Sequence, residues 1–153
     1  AQVVLGRPPA LGRVVLFAHS AGYQAAAAAL QKGGVPVSEV YLLDALYGSV
    51  EDFGAWLRED LRSLLGPRPR RRFASIAAPG GTGELTEELA RDAARWLREV
   101  GGALSRSGLL FERAREAHAD VPRRYFGWLL GRSAIPPRPR QRLTARLPFP
   151  RSL

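Results

Sequence analysis

The pattern of apolar and polar positions changes abruptly at Ser20. The continuous apolar run at 14–17 is typical of a strand buried on both faces of a parallel sheet. An alanine-rich stretch follows at once and stops at a Gly-Gly pair after Lys32, which is typical of a helix and its end. When a chain passes from strand to helix at one residue, the positions two before and two after that residue come into contact. Both positions are small here, Ala18 and Gly22, so the pattern predicts a strained turn centred on Ser20.

The rest of the chain alternates between short apolar runs and amphipathic stretches. The apolar runs predict strands at 38–44, 73–78 and 109–111. The amphipathic stretches have apolar residues at three-and-four spacing and predict helices at 51–65, 84–104 and 121–131. Alternating strands and helices predict an α/β fold, with a parallel sheet and helices on both of its faces.

Composition separates a folded domain from a tail. Residues 1–132 contain all the predicted elements, whereas 133–153 are rich in Pro and Arg, lack periodicity and are expected to be flexible. The 153-residue chain has a formal net charge of +9, and Lys32 is the only lysine among its 23 basic residues. Such a bias can indicate phosphate binding. A nucleic-acid-binding surface would normally interleave aromatic residues or lysines, so the composition argues against nucleic acid as the partner.

Several other kinds of site find no support in the sequence. Cysteine is absent, which excludes a disulfide framework and a thiolate metal site. His, Asp and Glu residues nowhere have metal-ligand spacing, and no apolar run approaches the roughly 18 residues of a membrane span. The Pro-Gly-Gly-Thr-Gly segment at 79–83 lacks the Gly-Lys-Ser/Thr of a phosphate-binding loop. We expect this segment to cap a helix and line the mouth of a pocket, and we predict neither a metal nor a cofactor.

The turn at Ser20 carries a motif. It reads Ala-His-Ser-Ala-Gly, a variant of the Gly-x-Ser-x-Gly nucleophile elbow. This motif, with the order of elements that follows it to about residue 131, resembles the α/β-hydrolase superfamily of serine esterases and lipases. The resemblance implies that Ser20 is a nucleophile and that the Ala21 N–H supplies half of an oxyanion hole. It also implies further strands upstream, so we expect 1–132 to be the carboxyl-terminal part of such a domain.

The resemblance further implies an acid and a base, in the chain order Ser, acid, His. Of the two histidines, His19 is next to Ser20 and is expected to pack, whereas His118 follows the last predicted strand and is the expected base. A surface histidine is the alternative. Asp44 ends the strand after the serine strand and is the expected acid. The alternatives are that Asp44 only caps the strand end and that Glu84, one strand later, is the acid.

Four aromatic residues are predicted near the carboxyl ends of the first two strands. They are expected to shape a substrate pocket or to belong to the core: Tyr23, Tyr47, Phe53 and Trp56.

The leading hypothesis is a serine hydrolase that cleaves an ester, thioester or amide in a small-molecule acyl substrate, with Ser20, His118 and Asp44 as its triad. The sequence leaves the acyl and leaving groups, the oligomeric state and the compartment open. Two alternatives belong to other classes. One is a hydrolase-fold domain that binds or scaffolds without catalysis, and the other is an Arg-rich nucleic-acid-binding protein.

Overall fold

A computed structural model describes residues 12–135. Four parallel strands form one sheet in the order β1-β2-β3-β4: β1 Val14–His19, β2 Val37–Leu43, β3 Arg72–Ala77 and β4 Leu109–Arg113. The main helices are α1 Tyr23–Lys32, α2 Val50–Glu59, α3 Gly83–Glu99 and α4 Val121–Arg132. The predicted α/β fold with a parallel sheet is therefore confirmed.

Helices cover both faces of the sheet. Alternate residues of β2 point to opposite faces, so Val40 and Leu42 pack in one apolar cluster and Tyr41 and Leu43 in the other. The first cluster contains the buried apolar side chains of α1, α2 and α3, and the second contains those of α4. The helices α1, α2 and α3 connect successive neighbouring strands, and connections of the same hand place all three on one face of the sheet. This agrees with the position of α4 alone on the other face.

The helix predicted at 51–65 is shorter than expected. It ends at Glu59, and a separate 3-10 helix, Leu61–Leu64, follows. Asp60 breaks the helix with φ −148°, and its carboxylate accepts a hydrogen bond from the Ser63 N–H at 3.1 Å. A short polar side chain that hydrogen-bonds to the nearby backbone competes with the hydrogen bonds of the helix. The spacing of apolar residues contains no information about such a side chain, so the spacing predicts that the helix continues.

The helix predicted at 84–104 also ends early, at Glu99. Gly101 has φ 77°, and the Gly102 N–H returns to the Leu97 carbonyl at 2.7 Å. A glycine in the left-handed region with such a returning hydrogen bond is a common helix terminator. Leu104, the last residue of the predicted helix, begins a separate 3-10 helix, Leu104–Arg106.

The end of α4 is held against the sheet by a buried glutamate. Glu39 of β2 is fully buried, accepts a hydrogen bond from the Tyr41 hydroxyl at 2.5 Å and accepts another from the Ala134 N–H at 2.9 Å. This contact fixes the residues that directly follow α4. Most of the segment predicted as a flexible tail, from 136 onward, lies outside the described residues, as do residues 1–11.

Candidate active site

Ser20 occupies the turn between β1 and α1. It opens a 3-10 helix, Ser20–Gly22, that leads into α1, and it has φ 54°. A serine in the left-handed region is strained, as expected of a residue that reverses direction between a strand and a helix in one step. Its N–H donates to the Asp44 carbonyl at 3.3 Å, so the parallel pairing of β1 and β2 continues beyond both strands.

The small residues around this turn lie in contact, as their spacing predicts. A Cβ built on Gly22 would lie 3.7 Å from the Ala18 Cβ, an ordinary van der Waals distance. Gly22 itself has φ −59°, which any residue can adopt. The position therefore accepts a methyl group at van der Waals distance from Ala18, and a branched side chain would add atoms next to that contact.

We therefore expect Gly22→Ala to fold with stability close to that of the wild type and Gly22→Val to lose about 1–3 kcal/mol of unfolding free energy through overpacking. Gly127→Val in α4 is the matched control, since a Cβ at Gly127 meets nothing within 4 Å. Denaturant unfolding of the three variants measures the difference. Equal losses at 22 and 127 would show that Ala18 and Gly22 do not constrain the turn.

Asp44 directly follows β2 at the same edge of the sheet as Ser20. Its side chain is 1% exposed, and its backbone is in the left-handed region with φ 44°. One carboxylate oxygen, Oδ1, accepts three hydrogen bonds: from the Ala78 N–H at 3.0 Å, the Thr82 N–H at 3.1 Å and the Thr82 hydroxyl at 2.9 Å. The segment at 79–83, expected to cap a helix and line a pocket, therefore encloses this carboxylate.

These contacts keep Asp44 ionised. Burial alone would raise the pKa of the carboxyl group, but the hydrogen bonds from His118, Ala78 and Thr82 lower it by more, so the pKa lies below its ordinary value. The net result is a fixed negative charge at the carboxyl edge of the sheet at neutral pH.

His118 lies in the loop between β4 and α4, where its Nδ1 is 2.6 Å from Asp44 Oδ2. An ionised carboxylate can only accept, so Nδ1 carries a proton, and in the neutral imidazole the lone pair therefore lies on Nε2. The Tyr47 hydroxyl donates to the same Oδ2 at 3.3 Å and lies 3.5 Å from Nδ1. The His118 side chain is 42% exposed, so the imidazole is accessible from solvent.

His19 packs against His118 and is hydrogen-bonded to its backbone. The two imidazole rings stack with their centroids 4.4 Å apart, and His19 Nε2 donates to the His118 carbonyl at 3.1 Å. This is the packing and hydrogen-bonding role expected of His19. Since His19 precedes Ser20 in the chain, the contact also brings the His118 loop next to the serine turn.

The three predicted triad residues lie at the same edge of the sheet. Asp44 and His118 are hydrogen-bonded to each other, whereas Ser20 and His118 are not. Among the hydrogen bonds of residues 12–135, none joins the Ser20 hydroxyl to His118. Ala21 lies in the first turn after Ser20, where backbone N–H groups have no partner within the helix. The alternative acid, Glu84, is exposed in the first turn of α3, and His118 pairs with Asp44 instead.

Two of the four aromatic residues flank the site. The rings of Tyr23 and Tyr47 are 6.4 Å apart, and Tyr47 contacts Asp44 directly. Phe53 and Trp56 do not flank it: both are buried in the core beneath α1, α2 and α3, because they lie on the inward face of α2. Other residues of the 12–135 segment line surface cavities away from this edge, such as one between α1 and α2 that is bordered by Leu30, Asp52 and Trp56.

Sequence reasoning missed the residues that hold the acid. Gly81 approaches Asp44 so closely that a Cβ built there would lie 2.5 Å from Oδ1, and Thr82 supplies two of the three hydrogen bonds to that oxygen. The available signal was the pair of glycines before a threonine at the start of a predicted helix. That pattern reports a tight turn, not what the turn encloses.

Residues 12–135 bring together no group of three or more metal-ligating side chains. In the same part of the chain, every helix is too short or too polar to span a bilayer. The fold and this edge define an α/β domain whose parallel strands end at a buried Asp44 paired with a half-exposed His118. No family model, curated protein or solved structure matches the chain.

Proposed function

We propose that this chain has an α/β-hydrolase-like fold and is a serine hydrolase acting on an ester, thioester or amide of a small acyl substrate. The observation that carries the proposal is the 2.6 Å contact between Asp44 Oδ2 and His118 Nδ1, at the edge of the sheet that also holds the strained Ser20. A buried carboxylate that fixes the tautomer of a half-exposed imidazole is the arrangement that makes Nε2 a base.

In the proposed reaction, the Ser20 oxygen adds to the substrate carbonyl carbon and His118 Nε2 takes the hydroxyl proton. The carbonyl oxygen becomes an oxyanion, which the Ala21 N–H stabilises. The bond to the leaving group then breaks, and the leaving group takes the proton from His118. Water releases the acyl group as an acid by the same two steps and restores Ser20.

Asp44 contributes by staying negative throughout. Its lowered pKa keeps it ionised at neutral pH, so it stabilises the imidazolium that forms when His118 takes the serine proton. The contact between Ser20 and His118 is absent here and is expected to form with substrate, since catalytic hydrogen bonds often tighten only in the complex.

A second candidate is a domain of the same fold that binds a partner without catalysis. One observation favours it: among the hydrogen bonds of residues 12–135, none joins the Ser20 hydroxyl to His118. In this reading the Asp44–His118 pair only fixes the loop between β4 and α4.

A fluorophosphonate probe separates the two candidates, because it labels an activated serine much faster than an ordinary one. We expect fast labelling that is confined to Ser20 and is lost in Ser20→Ala. Ser49→Ala is the matched control, since Ser49 is also a serine with positive φ, 55°, but lies at the start of α2. Labelling no faster than that of a denatured sample would favour the binding domain.

A further inference from the structure

The two oxygens of the Asp44 carboxylate have different partners. Within residues 12–135, the hydrogen bonds to Oδ1 all come from the 78–82 segment, through the Ala78 N–H and both donors of Thr82. Oδ2 is left to His118 at 2.6 Å and to the Tyr47 hydroxyl at 3.3 Å. These contacts fix the rotation of the carboxylate about the Cβ–Cγ bond of Asp44. Only one of its oxygens, Oδ2, therefore faces the imidazole.

The side chain of Thr82 makes an unusual hydrogen bond for a residue at the start of a helix. It is the N-cap residue of α3, where a threonine hydroxyl commonly accepts from an N–H of the first turn, but its side chain makes no capping hydrogen bond. The hydroxyl donates instead to Asp44 Oδ1, and Thr82 is 3% exposed. The Thr82 hydroxyl therefore does not cap its own helix and instead binds Asp44, which is 38 positions away in the chain.

The neighbouring glycine makes this contact possible. A Cβ built on Gly81 would lie 2.5 Å from Asp44 Oδ1 and 2.7 Å from Oδ2. Any side chain there would displace the carboxylate, so only glycine lets Thr82 approach so closely. The close approach of Gly81 and the hydrogen bond from the Thr82 hydroxyl thus both involve the Asp44 carboxylate.

We infer that Thr82 is a positioning residue for the reaction at Ser20, acting through Asp44. Its hydroxyl and N–H fix Oδ1 so that Oδ2 alone accepts the hydrogen bond from His118 Nδ1–H, which leaves Nε2 as the base. The kinetic part of this inference rests on the proposed hydrolase function. The part that concerns the tautomer of His118 does not.

The test compares Thr82→Val, which removes the hydroxyl with little change of shape, with Thr82→Ser, which keeps it. Thr86→Val is the matched control. Thr86 is also buried on α3, but its hydroxyl is 2.8 Å from that of Ser75 and does not touch Asp44. If valine is not accommodated at 82, Thr82→Ala gives the same comparison.

We expect Thr82→Val to lower kcat by roughly 10-fold to 100-fold with KM little changed, by analogy with the loss of hydrogen bonds that orient the ligands of metal sites. Thr82→Ser should restore most of the rate, and Thr86→Val should keep it. By NMR, Thr82→Val should raise the pKa of Asp44, because a hydrogen bond to its charged form is lost, and should reduce the fraction of His118 with the proton on Nδ1.

The two measurements separate the inference from the proposed function. If the wild type hydrolyses no ester but Thr82→Val still changes the His118 tautomer and Thr82→Ser does not, the positioning role stands and the hydrolase proposal fails. An unchanged His118 tautomer in Thr82→Val overturns the inference, whatever happens to kcat. An equal effect of Thr86→Val on His118 overturns it as well.

Discussion

Replacing Ser20 or His118 by Ala is expected to lower kcat for a small activated ester by at least about a thousandfold. The serine is a weak nucleophile until the imidazole takes its proton, and the later proton transfers by the imidazole also depend on the acyl group that Ser20 carries. The double variant should therefore be no slower than the slower single variant, because neither group contributes without the other. Steady-state kinetics of the three variants measures this.

Ser20→Gly provides a control for folding. Ser20 has φ 54°, a conformation that glycine adopts without strain, whereas alanine remains strained. We expect Ser20→Gly to be as inactive as Ser20→Ala but more stable by about 1 kcal/mol. Activity that survives in Ser20→Ala would remove Ser20 from the mechanism. Losses that multiply in the double variant would show that Ser20 and His118 act in separate steps.

The parts of this structure that follow from local patterns were predictable. The break at Ser20 follows from an apolar run that becomes an alanine-rich helix, and the parallel sheet follows from the alternation of elements. A parallel sheet then places the ends of successive strands at one edge. This explains how Ser20, Asp44 and His118 come to lie together, although His118 is 74 positions from Asp44 in the chain.

The parts that depend on one side chain meeting a distant backbone were not predictable. Asp60 ends α2 through its own hydrogen bond to Ser63, which a pattern of apolar spacing does not contain. Thr82 looks like a helix cap in the sequence, and only the fold shows that its hydroxyl turns to Asp44. Tyr47 was an aromatic of undecided role and proves to be a donor to the same carboxylate.

Asp44→Asn is expected to lower kcat by about 10⁴-fold. The Ala78 N–H and the two donors of Thr82 require an acceptor at the Oδ1 position, so the asparagine oxygen must lie there and its NH₂ group must face His118. An NH₂ donor facing Nδ1 forces the imidazole proton onto Nε2, which removes the base. Since the backbone contacts survive, the protein should remain folded, and thermal unfolding can check this.

The same variant should change how stability depends on pH. The pKa of Asp44 is lowered in the folded state, so its charge adds stability above the ordinary carboxyl pKa of about 4, and that stability is lost as the pH falls through the lowered folded-state value. Asp44→Asn cannot titrate and should lack this component of the acid-side loss. Denaturant unfolding of both proteins between neutral and strongly acidic pH measures the difference.

Glu84→Gln is the matched control for the acid, because Glu84 is the other carboxylate expected near the end of β3. It is exposed on the first turn of α3, whereas Asp44 is buried against His118. Removing a solvated charge at that position should change kcat by less than about threefold, since exposed charges interact weakly with their surroundings. A loss in Glu84→Gln that matches or exceeds the loss in Asp44→Asn would move the acid to α3, and the 2.6 Å pair of Asp44 and His118 would then be a structural contact only.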